Sequence, residues 1–233
     1  MIKGSDNISR SVVSNQEGVH SDLNEVVMKH RQCSFRRPIA EHTLNAFQSI
    51  EKEVAIDGRP LILDSGCGVG ESSINLAKQY PACLVIGVDQ SQHRLNKNDS
   101  YLQGGVSKEL DNLILVRADC IDFWRLAAEA NWLLYKHYIL YPNPWPKKAH
   151  LKRRWHAHPV LSSLLALGGE FQLRSNWSIY VQEFAQALKL LDYQVSQQGE
   201  LICEEGFLTP FERKYALSGQ SLFWLQACLN NRL

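Results

Sequence analysis

Two short segments of this 233-residue chain carry side chains whose types and spacing could do chemistry. The first, Asp64-Ser65-Gly66-Cys67-Gly68-Val69-Gly70, follows an apolar run beginning at Leu61 and precedes a helical pattern beginning at Glu71. Glycines have no Cβ, so they let the backbone turn sharply and approach a ligand closely. Between a strand and a helix, such a loop is where α/β folds hold nucleotides. A dinucleotide fingerprint spaces its glycines G-x-G-x-x-G, but the third glycine position here holds Glu71. That carboxylate would meet a pyrophosphate at the helix terminus, which disfavours NAD. Asp89 falls at the end of the next predicted strand, where a carboxylate can accept both hydroxyls of a ribose.

The second segment is Tyr141-Pro142-Asn143-Pro144-Trp145-Pro146-Lys147-Lys148-Ala149-His150-Leu151-Lys152-Arg153-Arg154. Lys147, Lys148, Lys152, Arg153 and Arg154 put five positive charges into eight residues of a chain that otherwise balances 25 basic against 24 acidic side chains. Concentrated positive potential beside a crevice suits RNA phosphates, and Trp145 with its flanking prolines stiffens the loop that bears it. His150, His156 and His158 follow, with no cysteine or carboxylate nearby in sequence, so no metal site is expected. Pro159 in the first turn of a helix would leave His156 and His158 in extended chain, in phosphate contact or on the surface.

The elements that must position these residues alternate short apolar runs with helical periodicity, the signature of βαβ units and a parallel sheet. Strands are expected at Leu61 to Asp64, Leu84 to Asp89, Leu113 to Ala118, His137 to Tyr141 and Gly169 to Arg174. Helices fit Glu71 to Gln79, Ser91 to Leu102, Cys120 to Ala130, Pro159 to Leu167 and Ser178 to Leu190. A helix from about Ile39 to Ile50 precedes the sheet. Two last apolar runs, Tyr193 to Ser196 and Ser221 to Leu229, have only irregular sequence between them and should pair antiparallel. Residues 1–38, polar and without sustained periodicity, read as an arm, partly disordered or ordered by a partner, and 39–233 as a single domain.

In its D-x-G-x-G-x-G form, the loop Asp64 to Gly70 resembles the cofactor loop of class I S-adenosylmethionine-dependent methyltransferases. The segment from Tyr141 to Arg154 closely resembles the signature P-D-P-W-P-K-K-R-H-x-K-R-R of the tRNA (guanine-N7)-methyltransferase family. Ser175-Asn176-Trp177 with Tyr180 resembles that family's T-D-x-x-x-Y element, and Thr209-Pro210-Phe211-Glu212 its T-x-F/Y-E element. The resemblance runs in order from Leu61 to the C-terminus. It implies a Rossmann-like α/β fold with a mostly parallel seven-stranded sheet, a C-terminal antiparallel strand and helices on both faces. It further implies S-adenosyl-L-methionine held by Asp64, Gly66, Gly68, Gly70, Asp89, Asp119 and Asn143, with Asp119 accepting from the adenine amine. Transfer to guanine N7 of tRNA would follow, with Asn143 at the reacting centre and Lys147, Lys152, Arg153, Arg154, Asn176, Thr209 and Glu212 contacting the substrate.

Two family aspartates are asparagines here, Asn143 and Asn176. A carboxylate can accept from both the ring N–H and the exocyclic amine of guanine, whereas one head of an amide is a donor. Losing such a charge-assisted contact costs about 1.5 to 3 kcal/mol. Three readings therefore stay open: the family's reaction, a weakly active or non-catalytic RNA- or cofactor-binding paralogue, and an N-methyltransferase for another base or a small molecule. Six scattered cysteines read as reduced thiols, and no apolar run reaches the ~20 residues of a membrane span or forms a secretory signal. A cytoplasmic monomer or homodimer without membrane attachment is the expectation.

Overall fold

The computed structural model describes residues 9–33, 35–98, 102–103, 106–107, 110–203 and 206–232. Its first half contains α1 (Leu23–Arg31), α2 (Glu41–Asp57), β1 (Leu61–Ser65), α3 (Glu71–Gln79), β2 (Leu84–Asp89), α4 (Gln92–Leu95), β3 (Leu102–Gln103), β4 (Val106–Ser107) and β5 (Leu113–Arg117). Then follow α5 (Cys120–Glu129), β6 (Leu134–Leu140), α6 (Leu161–Ala166), β7 (Glu170–Ser175), α7 (Ser178–Leu190), β8 (Tyr193–Glu200), α8 (Pro210–Leu217) and β9 (Phe223–Arg232).

Among the described residues the strands form one sheet in the order β3-β4-β5-β2-β1-β6-β7-β9-β8. The five strands from β5 to β7 are mutually parallel, and β9 runs antiparallel to both β7 and β8. Seven long strands thus make the expected sheet, and the two-residue β3 and β4 extend its edge beside β5. Every residue of β1 and β2 is buried, as strands covered on both faces require. Alternation divides the side chains: Leu61 and Leu63 pack with α2, α5 and α7, while Ile62 packs with Leu76 of α3 on the other face. The chain enters the sheet at β1, steps outward through β2 to β5, and then crosses back to β6 on the other side of β1. Ligands of open α/β sheets bind beyond the carboxyl ends of the strands at such a reversal.

Some expected boundaries move. The helix expected from Ser91 to Leu102 is only α4 and a 3₁₀ turn, Asn96–Asn98, after which 99–101 lie outside the described residues. Asn96 and Asn98 compete for backbone hydrogen bonds and are poor helix residues. Around His156 the chain is not extended: Trp155–Ala157 form a 3₁₀ turn.

Residues 9–33 and 35–38 pack back onto the sheet-bearing domain. Ser14 Oγ donates to the Pro146 carbonyl at 2.7 Å, and the Lys148 N–H donates to Asn15 Oδ1 at 3.2 Å. This arm meets the basic segment and α7 at one carboxylate, Glu183. Its Oε1 accepts from Gln16 Nε2 at 2.5 Å and from the His20 N–H at 2.9 Å. Oε2 accepts from Arg154 Nη1 at 2.5 Å and His156 Nε2 at 2.9 Å. Glu183, Arg154 and His156 are all fully buried. Burial alone would raise the Glu183 carboxyl, but the hydrogen bond from His156 and then the hydrogen bond and charge of Arg154 outweigh it and hold the group at about 2. Burial pushes His156 down, so it stays neutral and donates through Nε2 to an acceptor-only carboxylate. Arg154 also donates to the Trp145 carbonyl and to Gln16 Oε1.

This placement corrects two expectations. Arg154 is an internal brace and cannot meet a phosphate, and His156 is neither on the surface nor beside one.

Because the folded pKa of Glu183 is depressed, the stability it contributes is present above the ordinary carboxyl range and is lost as pH falls from about 4 toward 2. Arg154→Leu strands a buried carboxylate and should lower the urea-unfolding free energy by about 3 to 5 kcal/mol at pH 7. Arg154→Leu combined with Glu183→Leu removes both charges and should cost less than Arg154→Leu alone. A double variant as costly as the sum of the singles would deny that the pair acts as one unit.

Candidate active site

A crevice of 690 Å³ opens at the reversal between β1 and β6. Ser65 and Gly66 of the glycine loop line it, while Gly68 and Gly70 lie off it, and the left-handed conformation explains all three glycines: φ is +81° at Gly66, +62° at Gly68 and +83° at Gly70. A Cβ on Gly70 would stand 2.5 Å from Leu115 Cδ1. At Gly66 and Gly68 it would instead meet the Trp155 ring at 3.7 Å and the Phe211 ring at 3.8 Å.

Asp89 is buried at the mouth of β2. Its Oδ2 accepts from the Gly68 N–H at 3.0 Å and Arg94 Nη1 at 3.2 Å, and Oδ1 accepts from the Ser91 N–H at 2.8 Å. A carboxylate has about four lone-pair sites, so capacity remains for a hydroxyl. Asp119 caps α5, accepting from the Ile121 N–H at 2.8 Å, while Arg37 Nη2 donates to its other oxygen at 3.0 Å. Both aspartates line the crevice with Gly66. A glycine turn at Gly66 and two rim carboxylates fit a nucleoside.

Asp64 has a different task. It is fully buried, off the crevice, and Oδ2 accepts from the Ser72 and Ser73 hydroxyls at 2.6 and 2.7 Å, tying the loop to the first turn of α3. Oδ1 has no partner. Burial is the chief cause that pushes this carboxyl up to about 6, against the two serine hydrogen bonds.

Beyond β6 the chain turns at Tyr141 (φ +53°) and again at Trp145 (φ +46°). Left-handed conformations are costly for such residues, and the intervening Pro142-Asn143-Pro144 is held at the crevice wall by them. Lys152 and Arg153 also line the crevice, with Arg153 stacked 4.8 Å from the Trp145 ring centroid. Exposed Lys147 is outside it.

Three other expected substrate residues serve neighbouring parts of the fold. Thr209 caps α8, its Oγ1 accepting from the Glu212 N–H at 2.9 Å. Buried Glu212 accepts from the Tyr141 hydroxyl and from Arg174 Nη1, each at 2.9 Å, joining α8 to the ends of β6 and β7. Asn176 lies off the crevice and donates from Nδ2 to Gln220 Oε1 at 2.9 Å, while Gln220 Nε2 donates to the Ser9 carbonyl at 2.8 Å. An aspartate at 176 could not donate, and turning the Gln220 amide to suit it would set Oε1 against the Ser9 carbonyl. The amide at 176 therefore has a structural reason.

Sequence reasoning missed Ser65, Trp155, Tyr215 and Arg37. Arg37 lies 82 residues from Asp119 with no local signal to link them. Ser65 Oγ accepts from Trp124 Nε1 and is 2.8 Å from Nε2 of buried His137, whose pKa burial lowers to about 3. Among the described residues, no group of three or more His, Cys, Asp or Glu could hold a metal, and no helix is long and apolar enough to cross a membrane.

Residues 58–225 match the profile of a family described as "Putative methyltransferase". The tRNA (guanine-N(7)-)-methyltransferase of Acidithiobacillus ferrooxidans is 31% identical over 173 residues, covering 71% of this chain and 74% of the relative. That of Alkaliphilus metalliredigens is 28% identical, covering 70% and 79%. Among solved structures, an antibiotic-related methyltransferase superposes with a TM-score of 0.59 at 16% identity, covering 84% of this chain and all of the other. The 16S rRNA methyltransferase KamB superposes with a TM-score of 0.56 at 17% identity, covering 82% and 94%. At these identities the two structures speak to the fold.

The raised pKa of Asp64 has a measurable sign. Its favourable contribution is complete below the ordinary carboxyl range and is lost as pH rises through about 6, worth about 3 kcal/mol across the interval. Urea-unfolding free energies of Asp64→Asn should therefore fall less between pH 4 and 6 than those of the wild type. Identical slopes would mean that Asp64 does not titrate there.

Proposed function

The chain belongs to the tRNA (guanine-N7)-methyltransferase family, and from that premise we propose that it transfers a methyl group from S-adenosyl-L-methionine to guanine N7 in tRNA. The observation that carries the reading is that one crevice gathers Gly66 of the glycine loop, Asp89 and Asp119 with Asn143, Lys152 and Arg153. Groups suited to a nucleoside and groups suited to phosphates thus share one crevice. Gly66 and Gly68 would underlie the cofactor, Asp89 would accept from its ribose hydroxyls and Asp119 from its adenine amine.

Guanine N7 has an in-plane lone pair and no proton, so attack needs no prior deprotonation. Held by Gly66, Asp89 and Asp119, S-adenosyl-L-methionine would supply a sulfonium methyl with sulfur as a leaving group able to take the C–S electron pair. The residues of this chain act by alignment and by excluding water. Trp155 stands beside the glycine turn at Gly66. Asn143, pinned between two left-handed turns, presents an amide at the rim, and Lys152 and Arg153 hold the RNA backbone. The tRNA partner implies a cytoplasmic setting as part of the same proposal.

A second reading is favoured by Asn143 itself, which cannot accept from two guanine donors at once. It is a weakly active paralogue that retains cofactor and RNA binding, and an N-methyltransferase for another base shares that motivation. Nucleoside mass spectrometry of tRNA incubated with the protein and isotopically labelled cofactor separates them. Labelled 7-methylguanosine is expected, and Asn143→Asp should increase it. A different labelled nucleoside, or none, would overturn the guanine-N7 assignment. Replacing Lys152 and Arg153 together by Ala should flatten the salt dependence of tRNA binding by up to about two units of log–log slope. An unchanged slope would exclude them as phosphate contacts.

A further inference from the structure

Helix α8 carries an aromatic shelf that the cofactor-binding groups do not use. Phe211 is 45% exposed although it lines the crevice. Its ring is nearly parallel to that of Tyr215, with an interplanar angle of 28° and centroids 6.2 Å apart. Tyr215 in turn lies 5.6 Å from Tyr141, the residue that opens the Pro142-Asn143-Pro144 turn. The shelf is rigidly mounted. Glu212, one position after Phe211, is buried and bonded to Tyr141, Arg174 and the Leu208 N–H, while Thr209 caps the helix.

A large apolar ring left half in solvent inside a crevice has surface to cover, and a planar aromatic partner covers it best. The edge-reading groups are weak here: Asn143 offers an amide, and Asn176 is committed to Gln220. Stacking on an aromatic face is indifferent to base identity, because every base has a π-face, and it can supply the affinity that the missing carboxylates do not. The methyl-transfer reading requires an exposed target base beside the glycine loop, and a Cβ built on Gly68 of that loop would stand 3.8 Å from the Phe211 ring.

Resting on that reading, we infer that Phe211, backed by Tyr215, is the stacking platform for the substrate nucleobase, so that this protein grips its target by the face more than by the edge. The buried residues Thr209 and Glu212 then position the platform without touching the substrate.

The test compares Phe211→Leu, Phe211→Tyr and Phe211→Trp in the full chain, using tRNA and labelled S-adenosylmethionine. Phe211→Leu should lower the single-turnover methyl-transfer rate about tenfold or more, and Phe211→Tyr should restore it to within about twofold. Calorimetric binding of S-adenosylhomocysteine should be unchanged in all three. In Phe211→Trp, the added indole fluorescence should be quenched by tRNA and not by a blunt RNA duplex, whose bases are all paired. A normal rate in Phe211→Leu, or no quenching by tRNA under binding conditions, would overturn the platform. Loss of S-adenosylhomocysteine binding in Phe211→Leu would also overturn it, by assigning the ring to the cofactor. Failure of the wild type to methylate any RNA would instead fall on the proposed function, since the quenching reads stacking without turnover.

Discussion

One buried carboxylate decides how the parts of this molecule fit together. Glu183 lies on α7, yet its four hydrogen-bond donors come from the arm at Gln16 and His20 and from the basic segment at Arg154 and His156. Removing a carboxylate and a guanidinium from water costs several kcal/mol per ion, and only near-complete satisfaction offsets that. Here Oε1 and Oε2 each accept twice, and Arg154 spends its remaining donors on the Trp145 and Lys147 carbonyls and on Gln16. The arrangement fixes Trp145 from behind, and with it the turn that presents Asn143, Lys152 and Arg153 to the crevice.

This division of labour explains why adjacent residues of one basic run have opposite fates. Lys152 and Arg153 face the crevice, while Arg154 points inward to the pair with Glu183. A local count of five charges could not separate them, because the partner of Arg154 is 29 residues away on another helix. The same limit applies to Thr209 and Glu212. Their spacing matches a capping signature as well as it matches a site, and the packing of α8 on β6 and β7 makes the cap the operative role. Asp64 follows the same rule, since position before a glycine loop did not reveal that Ser72 and Ser73 claim it.

The sheet was far more legible. Parallel strands buried on both faces write continuous apolar runs, so β2, α3 and α7 fall on the residues that periodicity selects. Short elements were harder to see. α1 buries only Leu23 and Val27, too few for a periodic signal, and it holds its place through α7 and the turn at Trp155. The loop-and-strand-end logic did bring Gly66, Asp89 and Asp119 to one crevice, because those positions depend on topology alone.

The central claim is that the arm and the crevice loop form one unit through Glu183. Hydrogen exchange measured by mass spectrometry on Glu183→Gln, under conditions where it remains folded, tests this most directly. Amides in 14–20 and 145–157 should exchange faster together, while those of β1, β2 and β5 keep wild-type protection. Acceleration confined to α7, or spread evenly over the sheet, would contradict the claim.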